Sequence, residues 1–455
     1  MLPKNLLKMI AVLCLSILAT PGVLFAQQAS GHAVLMISID GLRPDAVLQA
    51  EEHHLLIPVL RQFLRDGSFA KEVVNVNPTL TYPNHTTLVT GVSPEKHGIY
   101  NNTLFDPTGK EQGAWYWYAP MIQTPTLWDA AKAKGLTSGS VRWPVTVNAS
   151  SITYNIPDYW RSGSDVDQYL LDAVSTPSGI LHEIEAKTGS LRDGLTDENI
   201  TRISTELMRT RHPDLMTVHL VELDHQEHLH GPFSPEANAT LEKIDKLVER
   251  LKKEELEAHP DADIVIVSDH GFFPVEHSVN LNRAFVQAGL ITLSDTTPAH
   301  VTSWKAYAWD GGGSAAILVH DKEDLATIRA VGEVLARLQA YPENGIRKIL
   351  THDQAIAAGE SSDAFFVVDW KSGYAFGGDL NGPVVNNTRP GGMHGYMNDN
   401  PQLHSVFLIE GPGIARGKNL GVIDMRQIAP TIAHEMQIDL PSARMTPLSV
   451  DLPQQ

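Results

Sequence analysis

The chain has a single cysteine, Cys14, set inside an N-terminal apolar stretch. No disulfide framework can form, and without that stretch neither a thiolate metal ligand nor a cysteine nucleophile is available. Basic residues are also few: 35 Lys and Arg stand against 53 Asp and Glu, a net charge of -18. That balance opposes binding to a polyanion such as duplex DNA. Low-complexity segments and internal repeats are missing, and the N-terminal apolar stretch, residues 9–19 behind Lys4 and Lys8, is too short to span a bilayer comfortably. It reads as a secretory signal covering residues 1–26, with an uncleaved anchor as the alternative. Export without disulfides fits a bacterial periplasm, so a secreted or periplasmic protein with no stable membrane insertion after cleavage is expected.

What remains, residues 27–455, has an ordinary globular composition, 42% hydrophobic and 19% charged over the whole chain. Short apolar runs end in chemically useful residues: Val34–Ile39 before Asp40, 215–223 before Asp224, and 264–268 before Asp269. Such runs read as buried parallel strands. Between them, residues 235–258 place Leu241, Ile244, Leu247, Val248 and Leu251 at helical spacing. The alternation predicts an α/β fold with a doubly wound, mostly parallel sheet, whose ligands bind beyond the carboxyl ends of the strands. Further strands are expected at 315–319, 364–369 and 405–409. Stretches around 148–197 and 290–387, richer in turns, Ser, Gly and aromatics, are expected to be insertions or a small cap.

Four motifs carry the candidate chemistry. In 77–87, Asn-Pro-Thr-Leu-Thr-Tyr-Pro-Asn-His-Thr-Thr, the Thr81 hydroxyl stands at a Pro-containing helix start, where negative charge is stabilised; it could equally just cap the helix. Asp224 and His228 lie four apart and can face one ion from a helical turn, with His225, Glu227 and His230 as rivals. Asp269 and His270 end a strand, although an Asp there could cap the next helix. His394 lies in a Gly-Gly-Met-His-Gly-Tyr segment, where a lone histidine is more often structural. Together Asp40, Asp224, His228, Asp269, His270 and His394, with the Thr81 hydroxyl, would suit two zinc ions side by side. Tyr154, Tyr159 and Trp160 could stack on a planar substrate or belong to the core, and Asn84-His85-Thr86 forms a glycosylation sequon.

With Ile39-Asp40-Gly41-Leu42-Arg43, Thr126-Leu127-Trp128, Trp143-Pro144 and Ile409-Glu410-Gly411-Pro412-Gly413, the motifs make the chain resemble the nucleotide pyrophosphatase/phosphodiesterase family of the alkaline phosphatase superfamily, over about residues 33–435. The resemblance implies an alkaline-phosphatase-like catalytic domain with two zinc ions per chain. One would be held by Asp224, His228 and His394, the other by Asp40, Asp269, His270 and the Thr81 oxygen. Thr81 would be the nucleophile. Asn102, with the Thr81 or Tyr82 N–H, would hold a phosphoryl oxygen, and Tyr82 would flank the leaving group or base. The activity implied is hydrolysis of phosphodiester or pyrophosphate bonds in small nucleotide-like substrates through phosphothreonine, with a phosphomonoesterase or a catalytically dead exported binding protein as alternatives. This sequence has Glu227 where the family usually has Gly, and Trp143-Pro144-Val145 where it often has Trp-Pro-Gly.

Overall fold

Residues 31–161, 166–191 and 194–452 are described by the computed structural model; the expected signal, residues 1–26, lies outside them. Val34–Ile39 is wholly buried, and its side chains alternate between two cores as strand geometry requires. Leu35, Ile37 and Ile39 join one cluster, while Val34 and Met36 join another on the opposite face. Helix Pro235–Ala258 covers the first face with its stripe of Leu241, Ile244, Val248 and Leu251, and helix Ile428–Glu435 covers the second. The long helix starts where Ser234 accepts a hydrogen bond from the Ala237 N–H and a proline occupies the first turn.

The main sheet has eight strands in the order Lys418–Asn419, Ser68–Phe69, Phe407–Glu410, Asp263–Val267, Val34–Ile39, Leu215–Leu220, Ser138–Val141 and Tyr154–Ile156. The five from Asp263–Val267 to Tyr154–Ile156 run parallel, and Phe407–Glu410 is antiparallel to both its neighbours. The sheet is therefore α/β, doubly wound and mostly parallel, as expected. Its register pairs Ile39 with Leu220 and Ser38 with Val267, so Asp40, Asp224 and Asp269 leave the same edge.

Two expected boundaries move. Tyr154–Ile156 is an edge strand of the main sheet, so the 148–197 stretch is not set apart from it. The other region has its own core, from Phe273 to Leu403, built on an antiparallel sheet ordered Ala306–Asp310, Ser314–Val319, Ala364–Trp370, Ile346–Thr351. It reaches past 290–387 at both ends because Phe273–Val279 pairs with Val385–Met393. That pairing brings His394 beside Asp224, and the chain rejoins the main sheet at Phe407–Glu410.

Candidate active site

Five elements deliver the predicted residues to one place. Asp40 follows Val34–Ile39, Asp269 and His270 follow Asp263–Val267, and Asp224 and His228 sit on helix Glu222–His230. Thr81 opens helix Thr81–Thr90, and His394 follows Val385–Met393. The predicted run 215–223 stops short as a strand at Leu220, because this helix begins at Glu222. Gly41, at φ +77°, turns the chain after Asp40 so sharply that a Cβ there would meet Phe272 and Glu227 within 3 Å. Its N–H donates to Asp269 Oδ1 at 3.2 Å.

The cluster has two lobes that share Asp224. Asp224, His228 and His394 bring one ligand atom each within 4.8 Å of one another, and so do Asp40, Asp224 and His270. The His270 Nε2 lies 3.3 Å from Asp40 Oδ1, 3.1 Å from Asp269 Oδ2 and 3.3 Å from the Thr81 hydroxyl. The rings of His270 and His394 stack at 3.6 Å. His225, Glu227 and His230 join neither lobe; the buried Glu227 leaves its Oε2 beside Gly41 without a hydrogen-bond partner.

Outer hydrogen bonds fix how these groups point. His394 Nδ1 donates to the Thr79 carbonyl and His228 Nδ1 to the Gly392 carbonyl, each at 3.1 Å. Both Nε2 lone pairs are thereby turned toward Asp224. His219 Nε2 meets Asp40 Oδ2 at 2.8 Å, and the Asn75 amide holds the Asp269 carbonyl. The inward-facing atoms are left over: Asp40 Oδ1, Asp224 Oδ1 and Asp269 Oδ2 are buried without any hydrogen-bond partner.

The electrostatics agree. Burial lifts the Asp40 carboxyl well above the usual carboxylate range, and the charges of Asp269 and Asp224 lift it further. Burial acts on Asp224 in the same sense, but the imidazoles of His228, His394 and His270 together outweigh it and hold that carboxyl at about 2. Burial, then the neighbouring His270, keeps the His394 imidazole well below its ordinary value. Like groups facing one another with orphaned lone pairs are what a divalent cation would reconcile. Imidazole nitrogens and carboxylate oxygens are donors that zinc accepts.

Thr81 is not a capping residue. The helix cap is Leu80, with no side-chain cap bond, so the Thr81 hydroxyl stays at the centre. The Tyr82 N–H, expected to help hold an oxygen, instead donates to Asn102 Oδ1 at 2.9 Å, which leaves the Asn102 amide nitrogen to donate. Tyr82 is 1% exposed and donates its hydroxyl to Asp158 at 2.8 Å. Asn84 is fully buried and spends its amide on Val76, Pro78 and Leu80, so the sequon cannot be glycosylated in the fold.

A cavity of about 620 Å³ opens beside Thr81, Asp40 and Asp224, walled by Trp115, Trp160, Arg142 and Asp158. Of the three aromatics read as stackers or core, Trp160 lines it, whereas Tyr154 and Tyr159 pack on the main core. Arg43 points elsewhere, to Asp45 and the Phe272 carbonyl. Arg142, Asp158, His219 and Trp115 were not singled out from sequence. The nearest signal was the Trp143-Pro144 segment: Arg142 and Val145 both adopt φ 58°, a left-handed conformation costly for a β-branched residue and therefore suited to glycine.

A doubly wound sheet with this acid–imidazole cluster at its carboxyl edge defines the alkaline-phosphatase-like class of α/β proteins. The profile of the type I phosphodiesterase / nucleotide pyrophosphatase family matches residues 34–397, and the chain belongs to that family. It is 30% identical over 253 residues to human ectonucleotide pyrophosphatase/phosphodiesterase family member 1, covering 52% of this chain but only 23% of that protein. Human family member 5 is 25% identical over 429 residues, 91% of this chain and 76% of the relative. The solved structure of murine ectonucleotide pyrophosphatase/phosphodiesterase 5, an inactive threonine-to-alanine variant in complex with AMP, shares the fold at a TM-score of 0.64 and 20% identity, over 92% of this chain and 97% of that one. Among the described residues no helix is long and apolar enough to cross a membrane.

Proposed function

We propose that the protein is an exported two-zinc hydrolase that cleaves phosphodiester or pyrophosphate bonds of nucleotide-like substrates through a phosphothreonine at Thr81. The observation that carries this reading is the Thr81 hydroxyl, free of capping duty and 3.3 Å from His270 at the centre of the cluster. Zinc held by Asp224, His228 and His394, and by Asp40, Asp269 and His270, would supply Lewis acidity, lowering the pKa of a neighbouring hydroxyl and offsetting charge that develops on the phosphoryl and leaving oxygens.

The chain's own groups do the rest. Thr81 Oγ passes its proton to water and attacks phosphorus, and the bond to the leaving oxygen breaks as that oxygen takes up a proton from solvent. Water then displaces Thr81 from the opposite side, so the two inversions give net retention. The start of a ten-residue helix lies under the reacting oxygens and favours their negative charge. The Asn102 amide, braced by the Tyr82 N–H, donates to a non-bridging oxygen. The cavity is of a size that holds small ligands, and its Trp115 and Trp160 offer a base two aromatic walls; the AMP bound to the murine relative is in keeping with this.

A diester is favoured over a monoester because, among the described residues, Arg142 is the one Arg or Lys on the cavity wall, and it lies 3.6 Å from Asp158, which offsets it. A doubly charged phosphate would want more. Turnover of thymidine 5′-p-nitrophenyl phosphate, bis-p-nitrophenyl phosphate and p-nitrophenyl phosphate by zinc-loaded mature protein tests this. The nucleotide diester should be fastest. Preference for the monoester would move the protein to phosphatase chemistry, and no turnover would make it a binding protein.

A further inference from the structure

At the opposite edge of the main sheet, where Val34–Ile39 and Asp263–Val267 begin, a second set of ligand-type side chains converges. His32, Asp263 and Glu435 bring one donor atom each within 4.8 Å of one another, and Glu435 also groups with His434 and Asp451. Asp40 stands at the other end of the same six-residue strand, roughly 20 Å away at about 3.3 Å per residue. The catalytic reading makes no use of this set.

Its members are held in place. The His32 N–H donates to the Glu435 carbonyl at 3.1 Å, which ties the entry to the central strand to the end of helix Ile428–Glu435. His32 Nδ1 lies 3.2 Å from Asp263 Oδ2. Asp263 is 0% exposed and presents Oδ2 to His32, while its Oδ1, set against Gly411, has no hydrogen-bond partner; the buried Oε1 of Glu435 has none either. A fully buried carboxylate within 4.8 Å of a second one, with one imidazole beside them, is short of positive charge. Burial, with Asp451 and Asp261 nearby, pushes Asp263 up to about 6 despite the His32 imidazole, and burial with Asp451 and Asp263 pushes Glu435 up to about 7.

We propose that His32, Asp263 and Glu435 bind a divalent cation, with Asp451 at the rim, as a structural site separate from the catalytic cluster. One imidazole and two carboxylates form a nitrogen–oxygen set that suits zinc, with manganese the chemical runner-up. The ion joins the start of the central strand, the start of its neighbour and the last helix, three segments far apart in sequence. It stabilises the fold because the unfolded chain does not hold these ligands together.

The test is a difference in metal content. Full-length mature protein and Asp263→Asn, a change that keeps shape but removes the charge, are dialysed against dilute zinc and then zinc-free buffer, and metal per chain is measured by plasma mass spectrometry. Wild type should exceed the variant by one zinc per chain, whatever the catalytic centre holds, so the comparison does not depend on the proposed activity. Bis-p-nitrophenyl phosphate turnover should match between the two if that activity is present. Stripping zinc should lower the Tm of wild type more than that of the variant. Equal zinc contents, or equal Tm losses on stripping, would overturn the proposal. Glu435→Gln is the second variant, with the same expected loss of one zinc, and it replaces Asp263→Asn if that protein fails to fold.

Discussion

His219 offers the sharpest test of how the cluster is held. It is 2% exposed next to the carboxyl end of Leu215–Leu220, bridging Asp40 Oδ2 at 2.8 Å and the Arg142 carbonyl at 3.1 Å. His219→Leu fills much of the same volume but removes both contacts. Burial lowers the His219 imidazole and keeps it neutral, so its one N–H serves one of these acceptors, and losing that bond should cost the zinc-free variant about 1–3 kcal/mol of stability. Asp40 also loses the contact that keeps its Oδ1 turned inward, and outer partners of this kind are worth about 10–100-fold in metal affinity. Urea unfolding of the metal-free proteins measures the first effect, and zinc competition with a chromophoric chelator measures the second. His219→Gln, which retains a side-chain donor for Asp40, should recover part of the affinity. A His219→Leu protein that binds zinc as tightly as wild type would refute the reasoning, because Asp40 would then be positioned by its strand alone.

Thr81→Ala should retain zinc and lose diesterase turnover by several orders of magnitude; normal hydrolysis would rule out the covalent route. Trp160→Ala should raise KM for thymidine 5′-p-nitrophenyl phosphate while leaving bis-p-nitrophenyl phosphate nearly unaffected, and equal effects on both would mean that Trp160 does not meet the base. Glu360 is a pH probe away from the cluster: burial, then the Asp369 charge, raises its carboxyl from an ordinary 4.5 to about 8. The folded state therefore holds that proton more tightly, and its contribution is full below about pH 4.5 and lost as pH rises through about 8. Wild type should fall behind Glu360→Gln by about 1.4 kcal/mol per pH unit at most across that window, read from urea midpoints; parallel pH curves would show that the group is not perturbed.

Much of the site was legible because strand ends announce themselves. Asp40 and Asp269 follow apolar runs with both faces buried, and Asp224 and His228 share a helical spacing. His394 was legible only through the family pattern, since it follows Val385–Met393, whose Asn386, Asn387, Thr388 and Arg389 give no apolar signature. The same polarity hid the pairing with Phe273–Val279 and displaced the expected insertion boundary. His219 was invisible for the opposite reason: in an apolar strand it reads as core. Arg142 and Asp158 reach the cavity through a left-handed backbone turn and a sheet edge, both consequences of pairing between Ser138–Val141 and Tyr154–Ile156 that no single segment encodes.

The central strand has no solvent-facing side: all six residues of Val34–Ile39 are buried, five feeding one hydrophobic layer or the other and Ser38 meeting His85. Any change of size along it disturbs the placement of Asp40, so this wall of the site offers selection little to vary without loss of the fold. The facing wall is different. Trp115, Arg142, Asp158 and Trp160 lie outside the six residues of the central strand. Divergence toward new leaving groups should therefore accumulate between residues 115 and 160 while the carboxylate at the end of the central strand stays fixed.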